Sequence, residues 1–256
     1  MKKIFLIILQ TIAMNSFAQL APLKSGVIHL NDLSVKQDNL RTMRRFAEGT
    51  TPEFEYFEIH TTTQEKGAIP NPPHTQKDIE ELMIITEGSM KCIIGNKTAI
   101  LAAGSVILIP PHESQAFQNV GDGPLTYYVF MFRSRKQMNM ERSIAAGGAL
   151  QLNADSLEWK TSAKGGRKDY FNHPTAMCEN MEMHVTGLNH KGPSHNPHQH
   201  VDTEIILVTE GEMEMTIEGK DYTAVKGDLF FAESNLLHVV GNVVEKPCKY
   251  FAFKWR

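Results

Sequence analysis

Hydrophobic and polar positions alternate over short stretches along most of the chain. Met213, Met215 and Ile217 alternate with Glu212, Glu214 and Glu218, the period-two signature of a half-buried strand. Gly219-Lys220-Asp221 then predicts a turn, and Tyr222 to Val225 the returning strand. Gly227-Asp228 predicts a second turn, followed by Leu229-Phe230-Phe231, and Tyr250 to Trp255 reads as a closing strand. Met90 to Ile94, Thr98 to Leu101, Val106 to Ile109 and Tyr127 to Phe132 have the same character. Long helical periodicity is absent. Many short strands separated by turn signals predict an all-β sandwich or barrel.

The pattern occurs twice. Glu87-Gly88-Ser89-Met90 recurs as Glu210-Gly211-Glu212-Met213, and Ala103-Gly104-Ser105-Val106 as Lys226-Gly227-Asp228-Leu229. Pro124 to Phe130 recurs as Pro247 to Phe253, and all three matches share an offset of 123. Leu30-Asn31 with Leu152-Asn153, and Glu58-Ile59-His60 with Glu182-Met183-His184, match at offsets a residue away. The chain is thus read as a duplicated unit, with domains at 19–133 and 150–256. Residues 134–149 form the linker, in which a short helix fits.

One segment stands outside the repeat. Lys2 and Lys3 precede the apolar run Ile4 to Leu9, which fades toward Ser16-Phe17-Ala18-Gln19. A positive start, a short apolar run and a small-x-small end predict a secretory signal peptide over 1–18, cut after Ala18. The run is too short to span a bilayer, which takes roughly 20 apolar residues. The mature protein is expected in the periplasm or outside the cell, with no membrane association after cleavage.

Composition narrows the function classes. The 41% hydrophobic and 21% charged fractions exclude a disordered or fibrous chain, and a net charge of −3 argues against a nucleic-acid partner. Cys92, Cys178 and Cys248 are too few and too scattered for a disulfide framework or a cysteine zinc site, and read as buried apolar residues. Histidine is unevenly spread. Of 11, seven lie in the second half: His173, His184, His190, His195, His198, His200 and His238.

The second unit contains Gly192, His198-Gln199-His200, Glu204 and Gly211, then Gly227, Glu233-Ser234-Asn235, His238 and Asn242. If 198, 200 and 204 share one strand, equal parity turns their side chains to one face. His238 would join them from another strand. Three imidazoles and a carboxylate form an N/O metal site; without a metal, burying them would require a full set of hydrogen-bond partners.

These residues resemble the paired cupin motifs, G-x5-H-x-H-x3-4-E-x6-G and G-x5-P-x-G-x2-H-x3-N. The resemblance implies two tandem jelly-roll barrels, a bicupin. It also implies a divalent transition metal (Fe, Mn, Ni or Zn) on His198, His200, Glu204 and His238. Glu233 and Asn235 replace the motif Pro and Gly; Asn tolerates the left-handed turn that the Gly would adopt. In the first unit Gly67, His74, Gln76, Glu81 and Gly88 occupy the first motif, and Gly104, Pro110, His112, Gln115 and Asn119 the second. Gln76 and Gln115 stand where two histidines would be, so a tight metal site is expected only in the second barrel. Bicupins resembling oxalate decarboxylase usually keep ligands in both halves, unlike this chain.

Glu182 and His184 share parity before the first motif and are candidates for general acid–base work. The equivalent Glu58 and His60 offer a structural reading of the same pair. His190 and His195 lie on the Gly/Pro-rich loop before the ligands. Met181, Met183, Met213, Met215, Phe251 and Phe253 are expected in the barrel wall. The resemblance implies an enzyme acting on a small oxygenated metabolite, most simply a dioxygenase. Its alternatives are a non-redox isomerase or lyase of a sugar or sugar acid, and a non-catalytic binding module. A small-molecule substrate is the expected partner, and a homodimer is compatible with the sequence.

Overall fold

The computed structural model describes residues 20–256; the expected signal peptide lies outside the described residues. The described chain is almost entirely antiparallel β, with one α-helix among the described residues, Met140–Ala145, in the linker. Each half builds a barrel from a seven-stranded sheet and a four-stranded sheet. In the first, the large sheet runs Leu150–Leu152, Val106–Ile109, Glu80–Glu87, Leu125–Ser134, Phe54–Gln64, Arg41–Gly49, Lys36–Asp38. In the second it runs Gly26–Ile28, Leu229–Ala232, Thr203–Glu210, Cys248–Trp255, Met181–Leu188, Gly165–His173, Lys160–Ser162. The smaller sheets are His74–Thr75, Ser114–Asn119, Ser89–Ile94, Lys97–Ala102 and Gly192–Pro193, His238–Asn242, Glu212–Ile217, Lys220–Val225.

The strand expectations hold, with ends moved by a residue or two. The return strand after Ile217 starts at Lys220 rather than Tyr222. The turn is made by Glu218 and Gly219, both at positive φ (49° and 75°). The repeated Glu-Gly pair also has a physical reason. Gly88 and Gly211 both sit at φ +79°, and a Cβ on either would strike the carbonyl of Pro124 or Pro247. Only glycine fits that tight passage from large sheet to small sheet.

The two halves exchange their first strands. Gly26–Ile28 pairs with Leu229–Ala232 of the second barrel, and Leu150–Leu152 pairs with Val106–Ile109 of the first. The repeated Gly104-Ser105 and Gly227-Asp228 pin these arms. Asp228 Oδ1 accepts from Leu30 N at 2.9 Å and Asp228 Oδ2 lies 2.8 Å from His29 Nδ1. Ser105 Oγ accepts from Ala154 N at 3.2 Å.

The central strands of each large sheet are buried on both faces, and strand parity divides the work. Phe57, Ile59, Phe130, Phe132, Phe251, Phe253 and Trp255 enter one core shared by the two barrels. There Phe54 stacks on Trp255 (5.3 Å, 16°) and Phe130 meets Phe253 edge-on (4.6 Å, 71°). The intervening residues, such as Glu58, His60, Tyr127, His184, Tyr250 and Lys254, face the barrel interiors or their walls. Met181, Met183, Phe251 and Phe253 therefore pack between the barrels, while Met213 and Met215 pack inside the second. The three cysteines are free and buried.

Candidate metal centre

His198, His200 and His238 offer nitrogen atoms that all lie within 4.8 Å of one another. The convergence does not come from one strand. Strand Thr203–Glu210 carries Glu204, but His198 and His200 precede it on an extended segment that bends at Val201-Asp202. A reciprocal backbone pair holds the segment, with His198 N donating to His238 O (3.0 Å) and His238 N to His198 O (2.9 Å). His238 opens strand His238–Asn242. Glu204 Oε2 lies 3.1 Å from His238 Nε2 and 3.5 Å from His200 Nε2. The left-handed turn that leads to His238 is made by Asn235 at φ 63°, as its residue type allows.

The surrounding backbone selects the tautomers. Nδ1 of His200 donates to Asp202 O and Nδ1 of His238 to Leu236 O, each at 2.8 Å. Both rings thereby aim Nε2 at the common point, the outer hydrogen-bonding pattern of metal-ligating histidines. Burial, then the neighbouring rings of His195, His238 and His200, lower the His198 pKa to about 4, so its ring is neutral near pH 7. Burial opposes charge on Glu204 too, but its contacts with the His200 and His238 rings outweigh it and hold the carboxyl well below its ordinary range. Imidazole nitrogens around an ionised carboxylate are the donor set of a divalent transition-metal site.

The site opens into a cavity of about 360 Å³ lined by His184, Thr186, Tyr250 and the cationic Lys164, Arg167 and Lys254. The three cations were not singled out from the sequence. Arg167 and Lys254 become cavity residues only through register, Arg167 pairing with Thr186 and Lys254 with Glu182 and Glu204 on neighbouring strands. Lys164 Nζ donates to Pro193 O (2.8 Å) and Ser194 O (3.2 Å), tying down the loop that carries His195. His195 lines the cavity with its ring against His198 (4.3 Å), whereas His190 is exposed.

The pair Glu182 and His184 separates by position. His184 lines the cavity with Nδ1 buried and no aligned hydrogen-bond partner. That atom is 3.4 Å from Glu182 Oε1. Glu182 is not a lining residue and bridges Arg167 (2.8 Å) and Lys254 (3.4 Å). His184, then Arg167 and Lys254, hold the Glu182 carboxyl well below its ordinary range against the effect of burial. Glu58 and His60 repeat the geometry in the first barrel at 3.0 Å. Glu233 takes no part in the cavity; its amide donates to Ser25 Oγ (3.0 Å).

In the first barrel, glutamine replaces histidine without loss of the frame. Gln76 Nε2 and Gln115 Nε2 both donate to Glu81 Oε1, at 2.9 and 3.0 Å. Two amide donors therefore occupy the glutamate where two imidazoles flank Glu204. His112 sits in the left-handed turn at φ 71°, and His74 is exposed on its two-residue strand.

Fold and site together define a tandem jelly-roll metalloprotein. The cupin domain family matches residues 60–131 and again 185–254. The chain belongs to the cupin family. No curated protein sequence matches it significantly. Among solved structures it is similar to the protein Ylba from E. coli, assigned to DUF861: 19% identity, TM-score 0.68, covering 93% of this chain and 95% of that one. It is similar to AerE from Microcystis aeruginosa: 14% identity, TM-score 0.67, coverage 90% and 99%. It also resembles an oxalate decarboxylase from Lactobacillus farciminis, solved as a formate complex: 10% identity, TM-score 0.70, coverage 91% and 87%. At these identities the likeness is one of fold.

Proposed function

We propose that this protein is a metal-dependent enzyme that acts in its second barrel on a small, oxygenated, anionic metabolite, most simply as a dioxygenase. The observation that carries the reading is the metal-ligating cluster set in the wall of a cavity lined by Lys164, Arg167 and Lys254. His198, His200, Glu204 and His238 are the proposed ligands. When bound, the divalent ion supplies a Lewis acid and open coordination positions beside the four protein groups. Arg167 and Lys254 attract and orient the anion. Glu182 bridges both cations and holds them in place, which makes it a positioning residue. His184 is the one imidazole in the cavity outside the loop and the ligand set, and it is placed to accept or return a proton.

A bidentate carboxylate or enediol would fit both the open metal positions and the cations. Metal analysis of purified protein, with a metabolite screen run with and without O2, tests the reading. Product formation only in O2 is expected, and unchanged anaerobic turnover would overturn the oxygenase. The position of His184 favours a second reading, a non-redox isomerase or lyase of a sugar acid, which that anaerobic result would support. Binding without any product in metal-loaded protein would indicate a binding module. Paired His198→Ala and His238→Ala changes are expected to abolish metal content; full retention would refute the ligand set.

The proposal includes export. It is supported by Lys2-Lys3, the apolar run Ile4 to Leu9 and Ala18. Sequencing the mature N-terminus tests it: a chain starting at Gln19 is expected, and a retained Met1 would overturn it.

A further inference from the structure

The first barrel keeps a cavity of about 330 Å³, close to the 360 Å³ of the metal-bearing one. The lining shows what changed. His184, Thr186 and Tyr250 have His60, Thr62 and Tyr127 as counterparts, so the polar end of the cavity is preserved. Arg167 and Lys254 are replaced by Met43 and Met131, which join Met83, Phe117 and Val129 in an apolar wall. Glu81 is turned inward but already accepts from two glutamine amides.

One cation appears at a new place. Arg41 lines this cavity, at the position where the second barrel has Gly165. Its terminal nitrogen donates to Ile69 O, which fixes the guanidinium. Its Nε is buried and has no partner. A buried guanidinium donor without an acceptor is costly and calls for one. Tyr127 Oη accepts from Gln64 Nε2 at 3.0 Å, which leaves its own proton to donate. The rim carries Lys36 and Asp38.

We propose that the first barrel is a metal-free binding site for a small monocarboxylate with an apolar body. The carboxylate accepts from Arg41 Nε and Tyr127 Oη, and its hydrocarbon part lies against Met43, Met83, Met131, Val129 and Phe117. Arginine suits this role because its guanidinium stays charged and presents donors in a fixed planar geometry.

Calorimetric titration of the full, metal-loaded chain with straight-chain carboxylates from acetate to octanoate tests the site. Affinity should rise about fourfold per added methylene until the cavity is filled. Arg41→Met should weaken binding about tenfold or more. Met131→Trp, which fills the cavity without touching Arg41, should abolish it while the melting temperature is kept. A His200→Ala/His238→Ala chain should bind as the wild type does. Absence of binding by the whole series would overturn the proposal. So would binding that survives both Arg41→Met and Met131→Trp, or binding lost only with the second-barrel histidines, which would place the carboxylate on the metal. Equal affinity for all chain lengths would overturn the apolar body.

Discussion

At the level of single residues, the two barrels differ by a handful of substitutions on one frame. Gln76 and Gln115 donate hydrogen bonds to Glu81, whereas His200 and His238 turn Nε2 toward Glu204 with Nδ1 already spent on backbone carbonyls. A glutamine amide brings a proton donor to the carboxylate; a neutral imidazole brings a lone pair that a metal can share. Restoring the imidazoles should therefore restore a site. Gln76→His combined with Gln115→His, with His74 and Glu81 already in place, is expected to raise bound transition metal from one to two equivalents per chain by elemental analysis. An unchanged stoichiometry would mean that the backbone around the first site no longer aims the rings.

At the level of elements, the exchanged strands link each barrel to the other's chain. Gly26–Ile28 forms the outer edge of the second large sheet, and its departure would expose the unpaired edge of Leu229–Ala232. Successive amides in a strand point to opposite sides, so changing both Val27 and Ile28 to Pro removes at least one ladder donor. Hydrogen exchange should then speed up about tenfold or more at Leu229–Ala232, with Val106–Ile109 unchanged. Equal acceleration in both strands would show that the barrels are not protected separately by their borrowed edges. The weak match of Leu30-Asn31 to Leu152-Asn153 marked these arms in the sequence. Their crossing was not legible there, because strand pairing at a sheet edge leaves no local signal.

For the whole molecule, the barrels are tied through a shared aromatic core and through buried Glu80. Glu80 accepts from Thr175 Oγ (2.6 Å), Met177 N (2.9 Å) and Ala176 N (3.2 Å), all in the second half. Arg142 of the linker helix clasps the same loop through Thr175 O and Ala176 O. Burial pushes the Glu80 carboxyl up to about 7, against the lowering by those hydrogen bonds. The unfolded chain ionises this group near 4.5. Folded stability should therefore fall as pH rises from about 4.5 to about 7, by about 3 kcal/mol, and stay level above. Thermal melts across that range should show the slope in the wild type and a flatter one in Glu80→Gln. Parallel slopes would remove Glu80 as the cause.

Local chemistry made the duplication, the strand periods, the Asn235 turn and the residue types of the metal cluster readable from the chain alone. Periodicity, turn residues and ligand spacing act over a few residues, so they are written where they act. Tertiary structure decided the rest. His198 and His200 reach Glu204 through a bend rather than along one strand, and Arg167 and Lys254 enter the cavity only through the register of strands far apart in sequence. The same long-range pairing sends Met181 and Phe253 into a core between barrels and leaves Arg41 facing the cavity of the first. Such placements depend on which strands meet, and no stretch of sequence carries that information by itself.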